Sequence, residues 1–175
     1  LLCRGHRRRY SSIKKYREAL IKSLSTINYS ETRINLSTPL SIYIHWPFCE
    51  SKCPYCDFNS HVRKSINEEE WVQAYLESLK YWGRKLSRNK IYSIFFGGGT
   101  PSLMSESTIN RIIETIFNLW SYETNLEISL EANPTSVEVK KFKAFRKSGV
   151  NRISIGIQAL NNYDLKRLGR LHSVK

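Results

Sequence analysis

The chain has 175 residues, of which 41% are hydrophobic, with 28 Lys and Arg against 15 Asp and Glu and a formal net charge of +13. That apolar content excludes a disordered chain and supports one packed domain, and no apolar run reaches the roughly 20 residues of a membrane span. The charge does not point to nucleic acid, because residues 1–40 hold nine Lys/Arg and two Glu, and the rest shows only a basic surface without a nucleic-acid motif.

Residues 1–40 read as a basic N-terminal extension, expected to be flexible. The opening LLCRGHRRRYSSIKKYREALIKSL is rich in Arg and Ser and poor in acids. It fits an organellar presequence, a misplaced start or a disordered arm equally well. No apolar stretch of an export signal follows it. A cytoplasmic location is therefore expected, or a mitochondrial one if the segment is a presequence. Cys3 lies there alone and receives no role.

From Ser41 strands and helices alternate. Ser41–Trp46 is β-branched and aromatic and ends at Pro47, which predicts a first strand. A helix is expected over Asn67–Leu86, with Trp71, Tyr75, Leu79, Val72, Leu76 and Trp82 at helical spacing and Asn67 and Glu70 as a capping box. Ile91–Phe96 predicts a second strand, buried on both faces. Ile109, Ile112, Ile113, Ile116, Phe117 and Trp120 form the apolar stripe of the next helix. Asn125–Glu131 is the third strand. Thr135 and Glu138 form a capping box for a helix ending at Gly149. Arg152–Gln158 is the fourth strand, and Asn161 opens a fourth helix with Asp164 three residues on. Four βα units with short connections predict a parallel α/β sheet over residues 41–175, a partial barrel, since a full eight-fold barrel needs about 200 residues or more.

Four cysteines are too few for a disulfide-built fold of this size. Three of them, Cys49, Cys53 and Cys56, stand within eight residues as C-x3-C-x2-C, which reads as a metal site. Three thiolates on an iron–sulfur cubane leave one iron without a protein ligand, and an open position is what a catalytic metal site needs. The loop follows the C-terminal end of the first strand, where parallel α/β folds place their chemistry. An alternative of a different class is a non-enzymatic zinc module, with His61 or His45 completing three cysteines.

At IYIHWPFCESKCPYCDF the chain resembles radical-SAM proteins, in the branch that contains oxygen-independent coproporphyrinogen III oxidase and the haem chaperone HemW. The resemblance runs from about Leu40 to His172. It implies a [4Fe–4S] cluster on Cys49, Cys53 and Cys56, with S-adenosylmethionine (SAM) on the open iron. It also implies SAM contacts from Tyr43, from Tyr55 before the third cysteine, and from Gly98, Gly99 and Thr100 in GGGTPS. Glu131 in LEANP, Gln158 in SIGIQ and Arg170 in RLGRLH complete the implied set. Glycines suit such a place because their backbone can approach a ligand that a Cβ would exclude. The implied fold is the first four units of a partial (β/α) barrel. The implied chemistry is one-electron reduction of the SAM sulfonium.

Within that branch, the oxidases resemble C-x3-C-x2-C-G-C, whereas here Asp57 and Phe58 follow Cys56. CDFNS resembles HemW. The resemblance therefore implies a haem chaperone with haem or a porphyrinogen, a haem-acceptor protein and a reductant protein as partners, and the oxidase as alternative. The family's downstream HNxxYW motif is not in this sequence, so the chain reads as an N-terminal part. His45, His61 and His172 could each ligate iron in principle.

Overall fold

A computed structural model of the chain describes residues 38–134 and 139–174. Most of the expected extension, with Cys3, lies outside the described residues, as does the Thr135–Glu138 capping box. The elements are β1 (Leu40–Trp46), β2 (Phe48–Cys49), β3 (His61–Val62), α1 (Glu68–Lys85), β4 (Ile91–Gly98), a 3-10 turn at Pro101–Leu103, α2 (Glu106–Leu119), β5 (Tyr122–Ala132), α3 (Val139–Lys147), β6 (Arg152–Ile155) and α4 (Asn162–Arg167).

The main sheet runs β1-β4-β5-β6, with every pair parallel. Strand order follows chain order without reversal. With right-handed crossovers, that order puts successive helices on the same face and curls the sheet into a barrel segment rather than an open doubly wound sheet. Ile44, Trp46, Ile94, Phe96, Ile128 and Leu130 are buried on the helix side. Burial on both faces, expected for Ile91–Phe96, is not found: Tyr92 is exposed and Ser93 and Phe95 are half-buried. The other face is open and polar. Ser93 Oγ donates to Ser41 Oγ at 2.8 Å, and Arg152 reaches Ser129 Oγ at 3.1 Å.

The helices form for reasons visible in their ends. In α2 the Ser105 hydroxyl accepts from Thr108 N at 3.2 Å, and Ile109, Ile112, Ile113 and Ile116 are fully buried. Each such side chain contributes roughly 1.5–3 kcal/mol of transfer free energy. Trp120, expected inside this helix, is its extended C-cap, and its indole Nε1 donates to Leu86 O at 3.0 Å. Asn67 precedes α1 without accepting a cap bond; its amide donates to Glu70 Oε1 at 2.8 Å. Asn161 opens α4 as expected: its Oδ1 accepts from Asp164 N at 2.9 Å, and its Nδ2 donates to Asp164 Oδ2 at 2.7 Å.

The fourth strand is shorter than expected. After Ile155 one more ladder bond forms, Gly156 N to Ala132 O at 2.9 Å. Bonds from Ile157 N to Ile155 O and from Ala159 N to Ile157 O then fold the chain tightly. Gln158 takes φ +71°, a left-handed conformation that β-strands do not contain. It therefore stands beyond the strand, on a turn.

Candidate metal and cofactor site

The cysteine loop is tied at its neck. His61 N donates to Pro47 O at 2.7 Å, and β2 pairs with β3, Phe48 opposite His61 and Cys49 opposite Val62. Within the loop Cys56 N donates to Cys53 O at 3.0 Å, a turn that sets the last two cysteines side by side along the chain. Lys52 Nζ donates to Phe58 O at 3.3 Å and Ser60 O at 3.2 Å, closing the loop across its width. Ser60 Oγ lies 3.9 Å from Cys56 Sγ. All three cysteines are free thiols, half-buried. Among the described residues no three Cys, His, Asp or Glu side chains already form a closed metal cage.

Against this loop lies the glycine segment. In the β1–β4 register Trp46 is opposite Gly98, so the strand ends bring the two loops together. Gly99 N donates to Trp46 O at 2.7 Å and Thr100 N to Phe48 O at 2.8 Å. A Cβ on Gly99 would stand 2.5 Å from Phe48 O and 3.0 Å from Cys49 Sγ. Gly98 has φ +116°, and a Cβ there would meet His45 Nδ1 at 2.7 Å. Glu131, one residue before the end of β5, accepts from Gly98 N at 3.2 Å. His45 Nε2 donates to Asn59 O at 2.9 Å; in the neutral ring this leaves Nδ1 as the acceptor for Tyr43 OH, 3.2 Å away. Burial first, and then the Glu131 charge, push the Tyr43 phenol above its usual range. Tyr43 and Glu131 are thus within electrostatic reach of each other.

The second group gathers around Arg170, which follows α4. Its NH1 donates to Cys53 Sγ at 3.2 Å, and its NH2 to Asn133 Oδ1 at 2.6 Å and Gly156 O at 2.7 Å. Its Nε is buried with no partner. Asn133 Nδ2 in turn donates to Thr100 Oγ1 at 3.0 Å. The Tyr55 phenol is raised by burial and then by Cys53, with Arg170 pulling the other way. The Gln158 amide folds back over Gly156, where a Cβ would stand 3.0 Å from Nε2. A small open cleft is lined by residues that include Cys53, Thr100, Asn133, Arg170 and His172.

All the sequence-predicted residues therefore meet at the C-terminal edge of the sheet, in two groups joined through Thr100. Two histidine side chains are engaged elsewhere, His45 as above and His172 through Nε2 on Ile157 O at 3.1 Å, while His61 is exposed at the loop neck, where its backbone is paired. Burial, and after it the positive charge of Lys52, hold the His61 imidazole below its usual range. Sequence reasoning missed Asn133 and Lys52. The available signals were an amide immediately after a strand end and a cation between two cysteines.

Residues 43–175 match the family model of the Radical SAM superfamily. The chain belongs to the radical SAM superfamily. Among curated proteins it is 46% identical over 140 residues to "Heme chaperone HemW" of Haemophilus influenzae, covering 77% of this chain and 37% of that protein. It is 43% identical to the Escherichia coli protein of the same name, covering 36% of it. To "Radical S-adenosyl methionine domain-containing protein 1, mitochondrial" of Danio rerio it is 44% identical, covering 30%. Among solved structures, coproporphyrinogen III oxidase (HemN) from Escherichia coli, described as a radical SAM enzyme, superposes with TM-score 0.74 at 25% identity, over 79% of this chain and 32% of that one. The chain thus spans about a third of the length of the relatives it matches, and its fold is that of a superfamily partial barrel. Superfamily membership implies a [4Fe–4S] cluster and SAM. The donor set fits: three free thiols on one closed loop, with the Gly99 backbone packed against that loop too closely for a Cβ. No described helix is long and apolar enough to cross a membrane.

Proposed function

We propose that this chain is the cluster-bearing part of a haem-handling radical-SAM protein of the HemW type. Cys49, Cys53 and Cys56 would hold the cluster. Tyr43, Tyr55, Gly98, Gly99, Thr100, Glu131, Gln158 and Arg170 would surround SAM. The observation that carries this reading is the contact of the Gly99 backbone with the cysteine loop: a ligand on an iron held there has the glycine segment as its wall. When bound, the cofactors supply one-electron reduction of the SAM sulfonium. The chain's own part is to let the glycine segment close on the cysteine loop at Gly98 and Gly99, with Thr100 next to them, and to place the Glu131 carboxylate beside Gly98 N.

Haem as ligand is supported by the names of the relatives and by CDFNS in place of an oxidase-type ending; a haem-acceptor protein and a reductant protein are the partners such a role would require. The second reading, coproporphyrinogen III oxidase, has the likeness to the solved HemN fold in its favour. Against it, Phe58 stands exposed where an oxidase continues with cysteine. The test is anaerobic incubation of the reconstituted protein, extended to the length of its relatives, with SAM, a low-potential reductant and coproporphyrinogen III. Haem binding without a vinyl-bearing product is expected. A vinyl product formed over many turnovers would promote the oxidase.

A further inference from the structure

The neck of the cysteine loop carries side chains that neither the cluster nor the glycine segment uses. His61 is exposed, and its imidazole makes no hydrogen bond with a described residue. Partial burial first, and then Lys52, Arg63 and His45, hold that imidazole below its usual range. The two cations therefore stand within electrostatic reach of the ring, and they favour its neutral form, the one that binds iron. Arg63 is exposed and forms no ion pair with a described residue. Lys52 Nζ gives two of its three protons to Phe58 O and Ser60 O, which leaves one proton and the full charge. Phe58 is 62% exposed, and Ser60 N on Phe58 O at 2.7 Å folds the chain between it and His61. Asp57 is the one carboxylate in residues 52–63. An exposed phenylalanine alone needs no explanation. A free imidazole, a large exposed aromatic ring and two cations on one short loop together match the parts of a haem: its iron, its apolar macrocycle and its two carboxylates.

We infer that the neck of the cysteine loop is a haem-docking site, in which the His61 imidazole is an axial ligand of the iron, Phe58 packs on the macrocycle, and Lys52 and Arg63 meet the propionates. This rests on the haem-handling reading above and adds the site to it. Imidazole is the commonest protein ligand of haem iron, and guanidinium pairs carboxylates in a fork. Aromatic side chains supply contact area to a flat ring system. The site is exposed and has one protein ligand, which leaves the opposite axial position of the iron open. Transfer then proceeds by ligand exchange: a ligand of the acceptor binds the open position, the bond from His61 breaks, and no electron changes hands.

The experiment titrates the 175-residue chain, with its cysteines first occupied by anaerobic reconstitution with iron and sulfide, with ferric protoporphyrin IX. Soret absorption gives the affinity, and electron paramagnetic resonance of the ferric haem gives the axial ligand. Nitrogen ligation is expected in wild type. His61→Ala should weaken binding about tenfold or more and lose that signature, whereas His6→Ala and His172→Ala should stay within about twofold of wild type. Added free imidazole should restore the signature in His61→Gly, which a merely structural role would not produce. Phe58→Ser, at an exposed position, should weaken binding without changing the ligand signature. Arg63→Gln should weaken binding of the haem but not of its dimethyl ester, whose propionates carry no charge. Circular dichroism and iron content show that each variant is folded and loaded. Wild-type affinity and nitrogen ligation in loaded His61→Ala overturn the inference alone, as does a loaded wild-type chain that binds no haem while the protein extended to the length of its relatives does. An extended protein that binds no haem overturns the inference together with the reading on which it rests.

Discussion

Replacing Gly99 by alanine tests the contact between the two loops. Gly99 does not have a positive φ, so conformational preference alone would let alanine replace it. Space does not. The added Cβ would lie 2.5 Å from Phe48 O, 2.8 Å from Phe48 C and 3.0 Å from Cys49 Sγ. Two of these are backbone atoms of β2, held in the neck of the cysteine loop. Relief requires the glycine segment to move away, at the expense of the bonds from Gly99 N to Trp46 O and from Thr100 N to Phe48 O. Overpacking of this kind costs about 1–3 kcal/mol, and two weakened hydrogen bonds add about 1 kcal/mol or more. Gly99→Ala should therefore lose about 2–4 kcal/mol in urea unfolding and take up little iron. Gly149→Ala is the control. Its φ is +108°, but the nearest atom to a Cβ is Ile128 Cδ1 at 3.6 Å. That variant should cost about 1–2 kcal/mol, the penalty of a left-handed backbone, and load normally. A Gly99→Ala protein with wild-type stability and full iron uptake would refute the reasoning.

Glu68 accepts from Ser105 N at 3.0 Å, Ser105 Oγ at 2.8 Å and Thr108 Oγ1 at 2.5 Å, pinning the start of α1 to the cap of α2. Glu68→Ala should cost about 1.5–3 kcal/mol in chemical unfolding, and a loss under half a kcal/mol would show the staple to be idle. Glu69, exposed, is held at about 2 by the Arg111 guanidinium and then by Gln73, against an ordinary 4.5. Its folded value is depressed, so its contribution is present above 4.5 and lost as pH falls toward 2; Glu69→Gln should flatten the fall in unfolding midpoint between about pH 4.5 and pH 2, to a small extent because solvent screens the pair. β6 is an edge strand, and Ile155 and Ile157 are exposed beside it. Concentration-dependent association of the 175-residue chain in sedimentation, weakened by Ile155→Lys, is expected of such an edge, and a monodisperse monomer at all concentrations would contradict it.

The strands and helices were legible because periodicity and caps are local. The isoleucine stripe of α2 is buried as its spacing required, and the reciprocal bonds of Asn161 and Asp164 are those the residue types allow. The errors came from long-range facts. Ile91–Phe96 reads as doubly buried because its composition is apolar, but the winding of the sheet leaves one face without helices. Gln158 lies past its strand because of tight turns that no residue pattern announced. In the site, the cysteines and glycines were visible through their types and spacing. Asn133 was not, since its importance lies in bonds to Thr100 and Arg170, 33 and 37 residues away. Lys52 was missed in the same way: an exposed lysine in a loop looks like solvated charge until its carbonyl partners are known.

The central claim is the cluster, and metal content tests it most directly. After anaerobic reconstitution, iron and acid-labile sulfide should each reach about four per chain. The brown, oxygen-sensitive protein should lose that content in Cys53→Ala, which removes one of the three thiolates of the loop and the partner of Arg170 NH1. Stoichiometric zinc, with no uptake of iron by the wild-type chain, would contradict the claim and leave the three cysteines as a zinc site.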